Sequence, residues 1–151
     1  MKRATLLLFL FTVLTACTVE PEPINYGEDN CVHCQMTIMD HRYGTEIVTD
    51  KGKVYKFDSV ECLVEFLQEN EGGKEKFSLV LITPFDQPGM LMNARESHVL
   101  HSLKLPSPMG MCLTAFGTEG AAMSYKESHG GKVYSWEGLL ESFEVIKKVG
   151  R

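Results

Sequence analysis

Between Thr45 and Thr83 the spacing of apolar residues changes from a strand period to a helix period and back, and this restricts the fold more than any other feature. Thr45–Thr49 (TEIVT) and Lys53–Phe57 (KVYKF) are rich in β-branched and aromatic residues and flank Asp50-Lys51-Gly52. They read as two strands joined by a turn. Asp58 or Ser59 can cap a helix, because a short polar side chain there accepts an otherwise unpaired amide of the first turn. Val60, Leu63, Val64 and Leu67 fall at i, i+3, i+4 and i+7, which is one apolar face. Glu71-Gly72-Gly73 ends that helix. Phe77–Thr83 (FSLVLIT) reads as a buried strand that Pro84 stops. The first half, 29–84, is therefore expected to run β-β-α-β.

The second half, 85–151, echoes the first. Gly52-Lys53-Val54-Tyr55-Lys56-Phe57 reappears as Gly131-Lys132-Val133-Tyr134-Ser135-Trp136, and an acidic residue and a helix follow each. Leu139, Leu140, Phe143 and Ile146 form the apolar face of the second helix. Upstream, Tyr43-Gly44-Thr45-Glu46 matches Phe116-Gly117-Thr118-Glu119, a register that aligns Met36 with Met109. Glu119–Glu127 reads as a helix where the first half has a strand. The expectation is an α+β fold with two small, similar halves, in which residues 36–67 superpose on residues 109–146.

The N-terminus reads as an export signal. Lys2 and Arg3 precede a short apolar run, Leu6–Leu14, far shorter than the roughly twenty residues of a spanning helix. Leu14-Thr15-Ala16-Cys17 matches the lipobox of bacterial lipoproteins. Cleavage would remove residues 1–16 and leave a diacylated Cys17, since stable anchoring takes at least two acyl chains. The expected location is the cell envelope, lipid-anchored to a membrane and facing the periplasm or exterior. Residues 17–28, polar and proline-containing, read as a flexible tether. Losing Lys2 and Arg3 would move the formal charge from −5 to −7. An acidic chain of this kind argues against nucleic-acid binding.

Apart from Cys17 the chain has Cys31, Cys34, Cys62 and Cys112. An exported protein meets an oxidising compartment, and four cysteines allow three pairings. Cys31-Val32-His33-Cys34-Gln35-Met36 is the strongest local signal. Two cysteines three apart can place both sulfurs on one ion. A thioredoxin-like redox pair would follow a strand and open a helix, whereas this pair follows the tether. A structural zinc site needs four closed ligands, which Cys62, Cys112 or a histidine would have to complete. A plain disulfide is a further alternative. Thiolate together with thioether is the soft mixture that selects Cu(I). On that reading the ligands are Cys31, Cys34 and Met36, with Met109 approaching from the second half.

Other residues carry weaker signals. His33, His41 and Met111 are secondary candidates for the metal. Met90, Met92 and Met123 read as packing. His98 and His101, three apart, could share one side of a helix and read as surface residues. Cys62 lies off the apolar face of its helix and reads as a small buried hydrophobe or the partner of Cys112. No nucleophile elbow, phosphate loop or H-E-x-x-H motif is present, so no enzymatic activity is expected.

The lipobox, the C-x-x-C-x-M element, "GKVYKFDSVECLVEFL", "SPMGMCLTAFGT" and "GGKVYSWEGLL" together resemble the NosL family, over roughly residues 29–147. Those proteins are lipoprotein copper chaperones of nitrous oxide reductase maturation. The resemblance implies two similar ββαβ-type halves and Cu(I) bound through sulfur with nitrogen help. It also implies copper donor and acceptor proteins as partners, the reductase's assembly machinery among them. It carries the metal-binding role onto Cys31, Cys34, Met36 and Met109. The chain differs in having His33 inside the motif and Gln35 where glycine is frequent. The alternatives are a zinc- or disulfide-stabilised binding module and a C-x-x-C thiol oxidoreductase.

Overall fold

The structure is a computed structural model that describes residues 18–149, so the expected signal segment and Cys17 lie outside the described residues. The first half contains β1 (Thr45–Thr49), β2 (Val54–Phe57), α1 (Val60–Glu69) and β3 (Phe77–Ile82). β1 is central, with Ile47 opposite Tyr55 of β2 on one side and Val80 of β3 on the other, both antiparallel. A two-residue strand, β4 (Met92–Asn93), extends the sheet beyond β3. The second half contains β5 (His98–His101), β6 (Leu113–Phe116), α2 (Glu119–His129) and β7 (Lys132–Ser135), followed by α3 (Trp136–Val149). Here β5 is central, between β6 and β7.

The halves share a topology. In each, the first strand is central, its hairpin partner lies on one side, and the strand after the helix lies on the other. The fold is α+β with two small similar sheets, each carrying its helix, as expected. They share one core. Phe57, Leu63, Val64 and Ile82 of the first half pack in the same cluster as Val99, Leu113, Leu139 and Phe143 of the second. Sheets this small cannot bury enough apolar surface alone, so each supplies the other's cover.

The register of the repeat is corrected. The two G-K-V-Y stretches form β2 and β7, which occupy different places in their sheets. Residues 36–67 hold β1, β2 and α1, whereas residues 109–146 hold β6, α2, β7 and most of α3, so they do not correspond element by element. Both G-K-V-Y stretches are short strands running directly into a helix. That local task accounts for their likeness, and the alignment of Met36 with Met109 loses its basis.

One further expectation changes. His98 and His101 lie on strand β5, not on a helix, and both are half-buried. The strand is selected by Val99 and Leu100 between them, which are fully buried and face opposite sides. Within the tether, Glu22–Glu28 packs against the first sheet. The Glu22 amide donates to Glu46 Oε1 at 3.0 Å, Lys56 Nζ donates to the Pro23 carbonyl at 2.9 Å, and the Gly27 amide donates to the Ile38 carbonyl at 2.8 Å.

The first turn of α1 positions the site. Val60, Glu61, Cys62, Leu63 and Val64 are all buried, because this end of the helix is inserted between β1 and β2 on one side and β6 on the other. Further along, only the apolar stripe has to be covered.

Candidate metal centre

The C-x-x-C-x-M segment is a tight reversal. The Cys31 amide donates to the Met36 carbonyl at 2.8 Å, and the Gln35 amide donates to the Cys31 carbonyl at 2.9 Å. Gln35 takes a φ of +65°, in the left-handed region that glycine adopts without strain. The Val32 amide donates to the Lys56 carbonyl at 2.9 Å, which fastens the loop to β2. The next residues, at the junction of β2 and α1, supply Asp58 and Cys62. Ser59 caps the helix by accepting from the Cys62 amide at 3.4 Å.

These elements meet. One ligand atom from each of Cys31, Cys34, Asp58 and Cys62 lies within 4.8 Å of every other. Cys31 and Cys62 are fully buried, and Asp58 is nearly so. All four cysteines of the described chain are free thiols, so Cys62 is not paired with Cys112.

The group is arranged around one negative sulfur. The Cys62 thiol donating to Cys31, aided by the backbone amides of Cys34 and Asp58, holds the Cys31 thiol down at about 6. The α1 N-terminus beside it favours the same charge. Burial, together with the neighbouring Cys31 and Asp58, pushes the Cys34 thiol up to about 11. Cys62 is pushed up too, first by its bond to Cys31 and then by burial. Asp58 Oδ2 accepts from the Cys34 thiol at 3.6 Å, while Asp58 Oδ1 is buried without a partner. Buried oxygens are rarely left so, and an anionic sulfur beside an unpaired carboxylate oxygen suits a cation. Three sulfurs and one carboxylate oxygen can satisfy a soft ion, or close a four-coordinate zinc site.

The structure brings Cys31 and Cys34 together as expected and adds Cys62 and Asp58. Met36 is 49 % exposed and lines a cleft with Asp58 and Pro108. Met109 is half-buried and packs against the main core, as does Cys34. Met111 is buried within that core. His33 turns away from the sulfurs: Nε2 lies 3.0 Å from Glu65 Oε2 and Nδ1 lies 3.5 Å from Glu69 Oε2, both on α1. His41 stacks on Tyr26 with ring centroids 3.9 Å apart. The feature that could have pointed to Cys62 is its place off the apolar stripe of α1, four residues after Asp58.

No curated protein matches the chain. Among solved structures, the crystal structure of the copper chaperone NosL from Shewanella denitrificans is similar in fold. It is 22 % identical, with a TM-score of 0.67, and the match covers 80 % of this chain and 95 % of that one. The NosL family model matches residues 24–143, from the docked N-terminal segment through both sheets to the middle of α3. That span takes in Cys31, Cys34, Asp58 and Cys62 together with both halves of the shared core, and the chain belongs to the NosL family.

Proposed function

We propose that the protein is a membrane-anchored metallochaperone that carries Cu(I) and delivers it to nitrous oxide reductase or its assembly machinery. The observation that carries this reading is the convergence of three thiols within 4.8 Å of one another. Soft sulfur donors favour Cu(I) over harder ions. Family membership and the copper chaperone named among similar structures support the same reading. Copper is cargo here. Cys31, Cys34 and Cys62 would hold it, Met36 and Met109 would contribute thioethers, and loading would release the protons of the two neutral thiols.

The anchor belongs to this proposal. No helix among the described residues is long and apolar enough to cross a membrane. A lipid on Cys17 would leave only Thr18–Pro21 before Glu22 docks on the sheet, a reach on the order of 14 Å. The centre would then be held near the headgroups, within reach of membrane-bound donors and acceptors. Cys17→Ser should move the protein from the membrane fraction to the soluble one.

Asp58 supports a second reading, in which three thiolates and one carboxylate close a structural zinc site. Titrating the reduced protein with Cu(I) and Zn(II) in competition separates the two. X-ray absorption of the copper-loaded protein should show a sulfur shell. Zn(II) outcompeting Cu(I), with Met36→Leu without effect, would overturn the copper reading. Copper loss from the loaded protein on mixing with metal-free nitrous oxide reductase tests delivery.

A further inference from the structure

An ion bound at the thiols has to reach sulfurs that water does not, since Cys31 and Cys62 are fully buried. A cleft of about 190 Å³ opens beside them, lined by Met36, Thr37, Met39, Asp40, Asp58 and Pro108. Asp58 belongs both to the cleft and to the four-residue group, so the cleft adjoins the thiols. Its rim carries two large apolar side chains in solvent, Met36 at 49 % exposure and Met39 at 67 %. One exposed methionine is ordinary, whereas two on a single cleft beside a thiol cluster call for a reason. Asp40 is not free to bind an ion there, because Arg42 Nη2 donates to its Oδ2 at 2.6 Å and Arg42 Nε to its Oδ1 at 2.9 Å. That leaves the two thioethers, with Asp58 beneath them, as available donors.

We propose that Met39 and Met36 form an outer landing site for Cu(I), separate from the thiol cluster that it feeds; this rests on the copper reading. A thioether is neutral and carries no proton, so it captures a soft ion without first losing one. It also binds weakly enough to let go. The transfer is ligand exchange at constant oxidation state. The Met39–copper bond breaks as copper bonds to the Cys34 and Cys31 sulfurs form, Met36 stays on the ion as a thioether common to both sites, the displaced Cys34 proton goes to water, and Met39 is left unchanged. Hard divalent ions gain little from thioethers, so the rim also selects what enters.

The test uses the full chain in detergent, with methionine methyl groups labelled for NMR. In a Cys31→Ser, Cys34→Ser, Cys62→Ser variant, Ag(I) as a stand-in for Cu(I) should shift the Met36 and Met39 methyls together. Met90, 61 % exposed and not part of the cleft lining, should stay in place. A silent Met39, or an equal response at Met90, overturns the proposal. Should the triple variant not fold, stopped-flow loading of the otherwise native protein from Cu(I)–bicinchoninate decides. Met39→Leu should load about tenfold more slowly, within the range over which single changes alter association rates. Equal rates overturn the landing site. If copper never binds the thiols of the native protein, the copper reading falls on its own evidence.

Discussion

Ser107 Oγ donates its hydrogen to the carboxylate of Glu61, a side chain on the first turn of α1 that is entirely shielded from water. The same oxygen of Glu61 accepts from the Leu113 amide at 3.3 Å, and Ser107 Oγ accepts from the Cys112 amide at 2.9 Å. The residue next to Cys62 therefore holds the whole Ser107–Cys112 loop of the other half. That loop supplies Pro108 to the Met36 cleft and Met109 to the core.

Glu61→Gln keeps an oxygen that accepts both bonds, whereas Glu61→Ala leaves Ser107 Oγ and the Leu113 amide buried and unpaired. The alanine variant should lose about 3 kcal/mol and the glutamine variant about 1 kcal/mol or less, read from urea unfolding. Equal losses in the two variants would mean that the hydrogen bonds do not hold the loop.

Cys31 gives the metal-free site a pH signature. Its thiol is held down at about 6 by the Cys62 thiol and by two backbone amides, below its value in an unfolded chain. The stability it contributes is present above the ordinary thiol range and is lost as pH falls through about 6. The ultraviolet absorption of thiolate in reduced, metal-free protein should rise with a midpoint near that value. Cys31→Ser should abolish the rise, and Cys62→Ala should move its midpoint upward. A first thiolate appearing only in the ordinary thiol range would show that Cys62 does not donate to Cys31.

Much of this architecture is legible in the chain because local rules decide it. Thr45–Thr49 and Val54–Phe57 are strands because β-branched and aromatic residues flank a turn, and α1 shows one apolar stripe. β5 is harder to read, since its apolar content is only Val99 and Leu100 between two histidines, and its pairing with β6 and β7 is non-local. The G-K-V-Y echo misleads for the opposite reason: it records a real local likeness between strands that occupy different places. Cys31 and Cys34 stand out by spacing, which alone leaves a metal site, a disulfide and a redox pair open. Cys62 and Asp58 join them only because β2 runs beside the cysteine loop, where the Lys56 carbonyl accepts from the Val32 amide, and that contact is tertiary.

Gln35 explains its own departure from glycine. With φ at +65° it carries a left-handed strain that a Cβ makes worse, partly offset by its side-chain amide donating to the Val32 carbonyl at 2.6 Å. Gln35→Gly removes the strain but adds chain entropy to the unfolded state, so a net change of less than about 1 kcal/mol is expected. Gln35→Val loses the hydrogen bond and forces a β-branched side chain into the same conformation, which should destabilise by about 2 kcal/mol. Thermal unfolding of the three proteins orders them, and a valine variant as stable as the other two would contradict the strained turn.

Glu46 places a second pH dependence on the opposite side of the first sheet. It lies on central strand β1, fully buried beneath the docked N-terminal segment, with Oε1 accepting from the Glu22 amide and Oε2 unpartnered. Burial is the main reason its carboxyl is raised to about 7, opposed by the hydrogen bond from the Glu22 amide and by Lys56, with the charges of Glu22 and Asp29 adding to the rise. A carboxyl raised on folding contributes stability in its protonated form. That contribution is complete below its unfolded value of 4.5 and is lost as pH rises through about 7. Glu46→Gln keeps an acceptor for the Glu22 amide and removes the charge that burial disfavours. The variant should match the native protein at about pH 4 and exceed it by about 2 kcal/mol at about pH 8, measured by urea unfolding. Because the Glu22 bond survives, the gain should come without release of the N-terminal segment, which amide exchange at Glu22 can follow. If the two unfolding curves differ by the same amount at both pH values, the charge on Glu46 is not what limits stability in alkali.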